Sequence, residues 1–179
     1  VLSSGLPLEL HVNFQRASDP VPEGYVADSG AAFGARGSGF SYGWNVDNSA
    51  YARDRNAANA PDQRYDTLNH MKHTDAPAPR FWEVELPNGI YSVHVVSGDA
   101  TAIDSHHVIT AEGSILLDGT PDNTDRFIEA TGIVTVADGR LTLAQGAGGT
   151  NTKLCYIDVQ AVTGAVEVAL TAPAHQSTH

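Results

Sequence analysis

Between Leu8 and Phe14 apolar and polar side chains alternate, the period of two that gives a strand one buried and one solvated face. The same alternation returns over Phe81 to Leu86 and Ile90 to Ser97, and Asn88-Gly89 between them has the residue types of a tight hairpin turn. Further strand patterns cover Ser105 to Ala111, Ser114 to Leu117, Phe127 to Val136, Leu141 to Ala144 and Leu154 to Val162, punctuated by Glu112-Gly113, Asp118-Gly119 and Asp138-Gly139. No segment keeps a helical apolar spacing over three turns, although Tyr65 to Lys72 fits a short helix. Seven or eight strands with turns between them predict an all-β domain, a β-sandwich of jelly-roll type. The alternations at the two ends of the pattern place the first and last strands in the same sandwich, with neighbouring termini.

Between Gln15 and Pro79 the periodicity dissolves into Gly, Asn, Asp, Ala, Ser and Pro with isolated aromatics, which predicts one long functional loop region. The chain has 179 residues, so residues 1–170 fit a single domain and residues 171–179, small and polar, read as a tail or linker. The start at Val1 without methionine reads as a module excised from a longer protein.

A net charge of −11 repels phosphate backbones and anionic head groups, which argues against nucleic acid and membrane partners. No window approaches the roughly 18 apolar residues of a membrane span. The single cysteine, Cys155, lies in an apolar run and reads as buried and unreactive. A soluble protein of a secreted, bacterial type fits these features. A phosphate-cradling glycine loop and a Gly-x-Ser-x-Gly elbow are both absent from the sequence.

The loop region concentrates chemistry. Tyr42-Gly43-Trp44-Asn45, Arg53-Asp54-Arg55-Asn56 and Pro61 to His70 bring arginines, carboxylates, amides and aromatics together. Sugar rings present C–H faces that stack on aromatic rings, and hydroxyls that donate and accept, so these side-chain types suit a polyol. Tyr42 and Trp44 are candidate stacking platforms, Asp54, Asp62 and Asp66 acceptors, and Arg53, Arg55 and Arg64 donors, with Tyr65, Asp99 and His106 completing the candidate ligand-binding set. Arg53, Asp54, Arg55, Asp62, Arg64 and Asp66 could instead form a self-satisfying salt-bridge network that rigidifies the loop. Asp66, His70 and His73 would align on one helical turn as zinc ligands, though a chance polar face is the preferred reading. Asp118, Asp122, Asn123 and Asp125 offer oxygens to Ca²⁺ without the spacing of a known calcium loop, so metal content stays open.

Asn13-Phe14-Gln15, Gly24 to Gly30, Tyr42 to Asn45, Arg53 to Asn56, Pro61 to His70, Trp82-Glu83-Val84, Pro87 to Tyr91, Gly98-Asp99 and Tyr156 to Val159 together resemble the malectin-like, galactose-binding-like β-sandwich domains of secreted bacterial proteins. The resemblance implies a non-catalytic carbohydrate-binding module that recognises a polysaccharide or oligosaccharide, tethered to further domains of a secreted enzyme. It places Tyr42, Trp44 and the groups around Asp54, Arg64 and Asp99 at the mouth of the sandwich. The alternative is a small polysaccharide lyase or glycoside hydrolase that uses Tyr65, His70, His106 and Arg64, or paired carboxylates.

Overall fold

A computed structural model describes residues 8–162 except Pro77 and Pro79, so the expected tail at 171–179 lies outside the described residues. In chain order the strands are β1 Glu9–Phe14, β2 Val26–Asp28, β3 Gly34–Ala35, β4 Ser41–Trp44, β5 Ala52–Asp54, β6 Thr67–His70, β7 Phe81–Glu85, β8 Gly89–Gly98, β9 His107–Ala111, β10 Ser114–Gly119, β11 Phe127–Val136, β12 Arg140–Gln145, β13 Lys153–Leu154 and β14 Tyr156–Ala161. One turn of α-helix, α1, spans Gln63–Asp66, and a 3-10 turn spans Ser49–Tyr51.

Three sheets form. One has the order β11-β8-β14-β1-β2, the second β10-β9-β12-β7-β4-β3, and a small third β13-β6-β5. The alternation predicted at the two ends is realised directly: β1 and β14 pair antiparallel with Val12 opposite Ile157, and the chain enters and leaves side by side. Val12, Val93, Val95, Ile157 and Val159 of the five-stranded sheet meet Trp44, Trp82, Val84, Ile109, Leu141 and Leu143 of the six-stranded sheet in one buried cluster. Two sheets packed through such a layer make the predicted β-sandwich.

Two expectations fail for topological reasons. Asn88-Gly89 does not turn a hairpin: β7 pairs with β12 and β4, whereas β8 pairs with β11 and β14, so the segment crosses from one sheet to the other. The tight turn lies at Glu112-Gly113, where φ is 49° and 77° and β9 returns as β10. The region from 15 to 79 is not structureless, because β2 to β6 and α1 lie within it. These strands are two to four residues long, too short to display a period against a polar background.

Part of that region folds over one end of the five-stranded sheet's outer face. Leu68 of β6 packs on Val96, Cys155 and Tyr156 in a second small core, bordered by Tyr25, Tyr65 and Phe127. Asn13, on the same outer face, donates to Thr67 Oγ1 at 2.8 Å and pins β6 there. Gly30 permits the loop crossing beside β2: its φ is +88°, and a Cβ there would lie 2.5 Å from the Ser49 nitrogen.

Candidate functional site

Strand alternation sends Leu10, Val12 and Phe14 inward, so Glu9, His11 and Asn13 face outward on β1. On the neighbouring strands Asp158 stands opposite both His11 and His94. Four links join Glu9, His11, Asp158, His94 and Glu129 into one row. His11 Nε2 lies 2.9 Å from Glu9 and Nδ1 2.7 Å from Asp158. His94 Nδ1 lies 3.1 Å from Asp158 and Nε2 3.1 Å from Glu129. Tyr25 donates its hydroxyl to Asp158 at 2.7 Å.

Charge in this row is tuned by its neighbours. The hydrogen bond to Asp158 raises the His94 pKa above its ordinary value, against the opposing effect of burial and with help from Glu129. For His11 burial is the largest influence and lowers the pKa, but the bonds to Asp158 and Glu9 outweigh it and the net shift is upward. Burial alone would raise the Asp158 carboxyl; the donors His94, His11 and Tyr25 reverse this and bring it down to about 2.

Beside the row opens a cleft of about 390 Å³ lined by Asn59, Pro61, Tyr65, the Asn123 to Phe127 turn and Glu129. Tyr65 and Phe127 form an edge-on aromatic pair with centroids 4.9 Å apart. Tyr65 is positioned by α1, whose N-cap Asp62 accepts from the Arg64 backbone N–H, and by the 2.8 Å contact between its hydroxyl and that of Tyr156. Arg64 lies over the Tyr156 ring at 4.9 Å and is clasped by Asp62 through its Nε at 3.0 Å. The cleft thus combines half-buried aromatic rings with an arginine, amides and carboxylates open to solvent.

The structure redistributes the sequence-predicted residues. Tyr42 and Trp44 are not open platforms, which corrects the expectation for both. They sit on β4 at 2% and 0% exposure, where Trp44 packs edge-on against Phe14 and donates its indole N–H to Asp28 at 2.8 Å. Asp28 accepts from Trp82 in the same way, so this buried carboxylate ties two strands of the six-stranded sheet together. Arg53 donates to the carbonyls of Ala50 and Ala52, Asp54 pairs with Arg16 at 2.9 Å, and Arg55 with the buried Asp99 at 2.9 Å. Asp99 also holds the buried Lys153 at 3.1 Å. Asp66 is buried and accepts from the Ala57 N–H. These side chains have structural partners, but most of those partners lie outside the six loop residues of the salt-bridge reading; Arg64 with Asp62 is the ion pair formed within that set among the described residues. His106 pairs with Asp118 at 2.7 Å and does not line the cleft. Of the predicted set, Tyr65 lines the cleft, and Arg64, paired with Asp62, lies over the Tyr65 ring at 5.7 Å.

The metal readings lose their geometry. His70 is on strand β6 and not on a helix with Asp66, because α1 ends after one turn. Asp122 caps its turn by accepting from the Thr124 and Asp125 N–H groups, both at 2.7 Å. Among the described residues no group of three or more His, Cys, Asp or Glu is arranged to hold a metal ion.

Sequence reasoning missed His11, Tyr25, His94, Glu129, Tyr156 and Asp158. The signal was the set of polar positions in the alternating strands, Glu9-x-His11-x-Asn13, Ser92-x-His94 and Tyr156-x-Asp158, which register brings into one row.

Among the described residues no helix is long and apolar enough to cross a membrane. No family model matches the chain. It is 30% identical over 125 residues to Beta-agarase A of Zobellia galactanivorans, a match that covers 69% of this chain and 22% of that protein. Among solved structures, the YxiM protein of Bacillus subtilis superposes with a TM-score of 0.61 at 22% identity, over 87% of this chain and 40% of the other. The Bacteroides uniformis beta-glucuronidase does so with a TM-score of 0.59 at 17% identity, over 87% and 18%. In fold the chain is a β-sandwich domain like those within these structures, and over 69% of its length it is similar to part of Beta-agarase A.

Proposed function

We propose that this domain is a non-catalytic carbohydrate-binding module, that the cleft between α1 and β11 is its glycan site, and that it acts outside the cell as part of a larger polysaccharide-directed protein. The observation that carries the reading is the cleft itself, where the Tyr65 and Phe127 rings adjoin amides, Arg126 and Glu129 in an open groove. Aromatic faces with a few convergent polar groups suit a sugar ring edged by hydroxyls.

The ligand class is a neutral glycan. Arg16, Arg55 and Arg64 are each committed to carboxylates, Arg126 shares the cleft with Asp125 and Glu129, and the chain carries a net charge of −11. An anionic polymer would meet no surplus of positive charge there. The similarity to an agarase makes agarose the first polymer to try.

Catalysis is the weaker reading, because its residues are engaged separately. His70 contacts Asn151, His106 contacts Asp118, and Tyr65 contacts Tyr156. The test is a titration of the full chain with neutral and acidic polysaccharides, for the wild type and Phe127→Ala. Saturable binding of a neutral glycan, weakened about fivefold or more by Phe127→Ala in a folded protein, supports the proposal. Binding of acidic polymers alone, or of a neutral glycan undiminished in the variant, would overturn it.

A further inference from the structure

His94 and His11 share an unusual arrangement: each has a carboxylate within hydrogen-bonding reach of both ring nitrogens. A neutral imidazole carries one N–H and an imidazolium two, so each ring satisfies both partners only when protonated. The outer partner of His94 is Glu129, which also lines the cleft. Glu129 Oε2 meets His94, and among the described residues Oε1 makes no hydrogen bond.

We propose that His94 is the positioning residue for Glu129, and that glycan binding in the cleft is therefore proton-linked, tightening as the pH falls from the alkaline to the acid side of neutrality. The proposal rests on the reading of this cleft as the glycan site. In the protonated state the imidazolium bridges Asp158 and Glu129 and fixes the Glu129 carboxylate as an acceptor for a sugar hydroxyl. When the proton leaves, the remaining N–H stays with the less exposed partner. The Asp158 side chain is 28% exposed and that of Glu129 59%, so Glu129 is the link released to water. Glycan binding must then order a free side chain.

The groups that face His94 support this direction. From β14 come Asp158 and the Tyr156 ring, 5.8 Å away. From β11 comes Glu129. His11 of β1 shares Asp158, so the two histidines titrate as a coupled pair. Tyr25 donates to Asp158, and Arg64 of α1 stands behind Tyr25 at 3.2 Å as the opposing cation. Asp158 and Glu129 are nearer, and the net shift of His94 is upward.

The experiment has two arms on the full chain. Ring-proton NMR titration without glycan is expected to place the His94 midpoint above the ordinary 6.5, and to lower it in Glu129→Gln. Affinity for agarose oligosaccharides is then measured from pH 5.5 to 8.5. The wild type is expected to bind about threefold to tenfold more tightly at the acid end, and His94→Gln, which cannot titrate, to lose that slope. Should His94→Gln fail to fold, Glu129→Gln carries the same expectation. Binding that is flat with pH, or a slope retained in the variants, overturns the proton linkage and leaves the binding site standing. A His94 midpoint at or below 6.5 does the same. Absence of binding at every pH overturns the cleft reading, and the linkage with it.

Discussion

Trp44 is the residue whose replacement separates a buried pillar from a sugar platform. The indole is fully buried, packs edge-on against Phe14 at 5.9 Å, and donates to Asp28, whose other oxygen accepts from Trp82. Trp44→Ala removes a large ring from the centre of the core, which costs about 3–5 kcal/mol where the walls cannot collapse. It also leaves the buried Asp28 carboxylate short of one donor, a further penalty of about 1–3 kcal/mol that overlaps the first. A combined loss of about 4–6 kcal/mol is a large part of the roughly 5–15 kcal/mol that holds such domains together. At about 2–4 °C per kcal/mol, the melting temperature should fall by about 10–20 °C. Urea unfolding followed by circular dichroism measures this, and Trp44→Phe, which keeps an aromatic ring and loses only the N–H, should fall between wild type and Trp44→Ala. Glycan affinity of the folded fraction should stay unchanged. A loss of less than about 1 kcal/mol in stability, together with a collapse of affinity, would refute the burial argument.

Three further outcomes follow from the same contacts. The histidine and aspartate row makes stability depend on pH in two opposite ways. His11 and His94 have folded pKa values raised above 6.5, so their contribution is complete below 6.5 and is lost as the pH rises through the raised values. Asp158 is brought down from 3.8 to about 2, so its contribution is present above 3.8 and is lost as the pH falls through about 2. Melting curves should therefore show this cluster's effect greatest between about pH 4 and 6.5, and His94→Gln should flatten the alkaline side. Lys153→Met leaves buried Asp99 with Arg55 as its one remaining cation and should cost about 3 kcal/mol in a denaturant titration; an unchanged midpoint would contradict the ion-pair assignment. Cys155 is fully buried, and burial pushes its thiol pKa far above the ordinary value, so a thiol reagent should label the native protein only on the timescale of unfolding.

The strand alternations at Leu8 to Phe14 and Leu154 to Val162 were legible because one face of each meets a continuous core. The pairing partners were not. Asn88-Gly89 has hairpin residues but serves a crossover, since pairing is decided by which sheet a strand's apolar face completes. Trp44 looked like a loop residue because β4 is four residues long and carries Gly43, yet register with β7 places it opposite Trp82 in the core. A salt-bridge role for Arg55 was open in sequence, but its partner Asp99, 44 residues away, could not be read locally. The cleft escaped for a related reason: Tyr65 and Phe127 are far apart in the chain, and meet only because β6 folds across the outer face of the five-stranded sheet. Residue types suited to a sugar were thus legible, and their assembly was not.

Backbone amide NMR of the isotope-labelled full chain, titrated with a neutral agarose oligosaccharide, tests the central claim most directly. The account predicts saturable shifts centred on Asn59, Tyr65, the Asn123 to Phe127 turn and Glu129, with the oligosaccharide recovered intact. Shifts centred elsewhere, such as around Lys72, Gln145 and Asn151 at the smaller cleft, would contradict the site. Appearance of new reducing or unsaturated ends in the same tube would contradict the binding role itself.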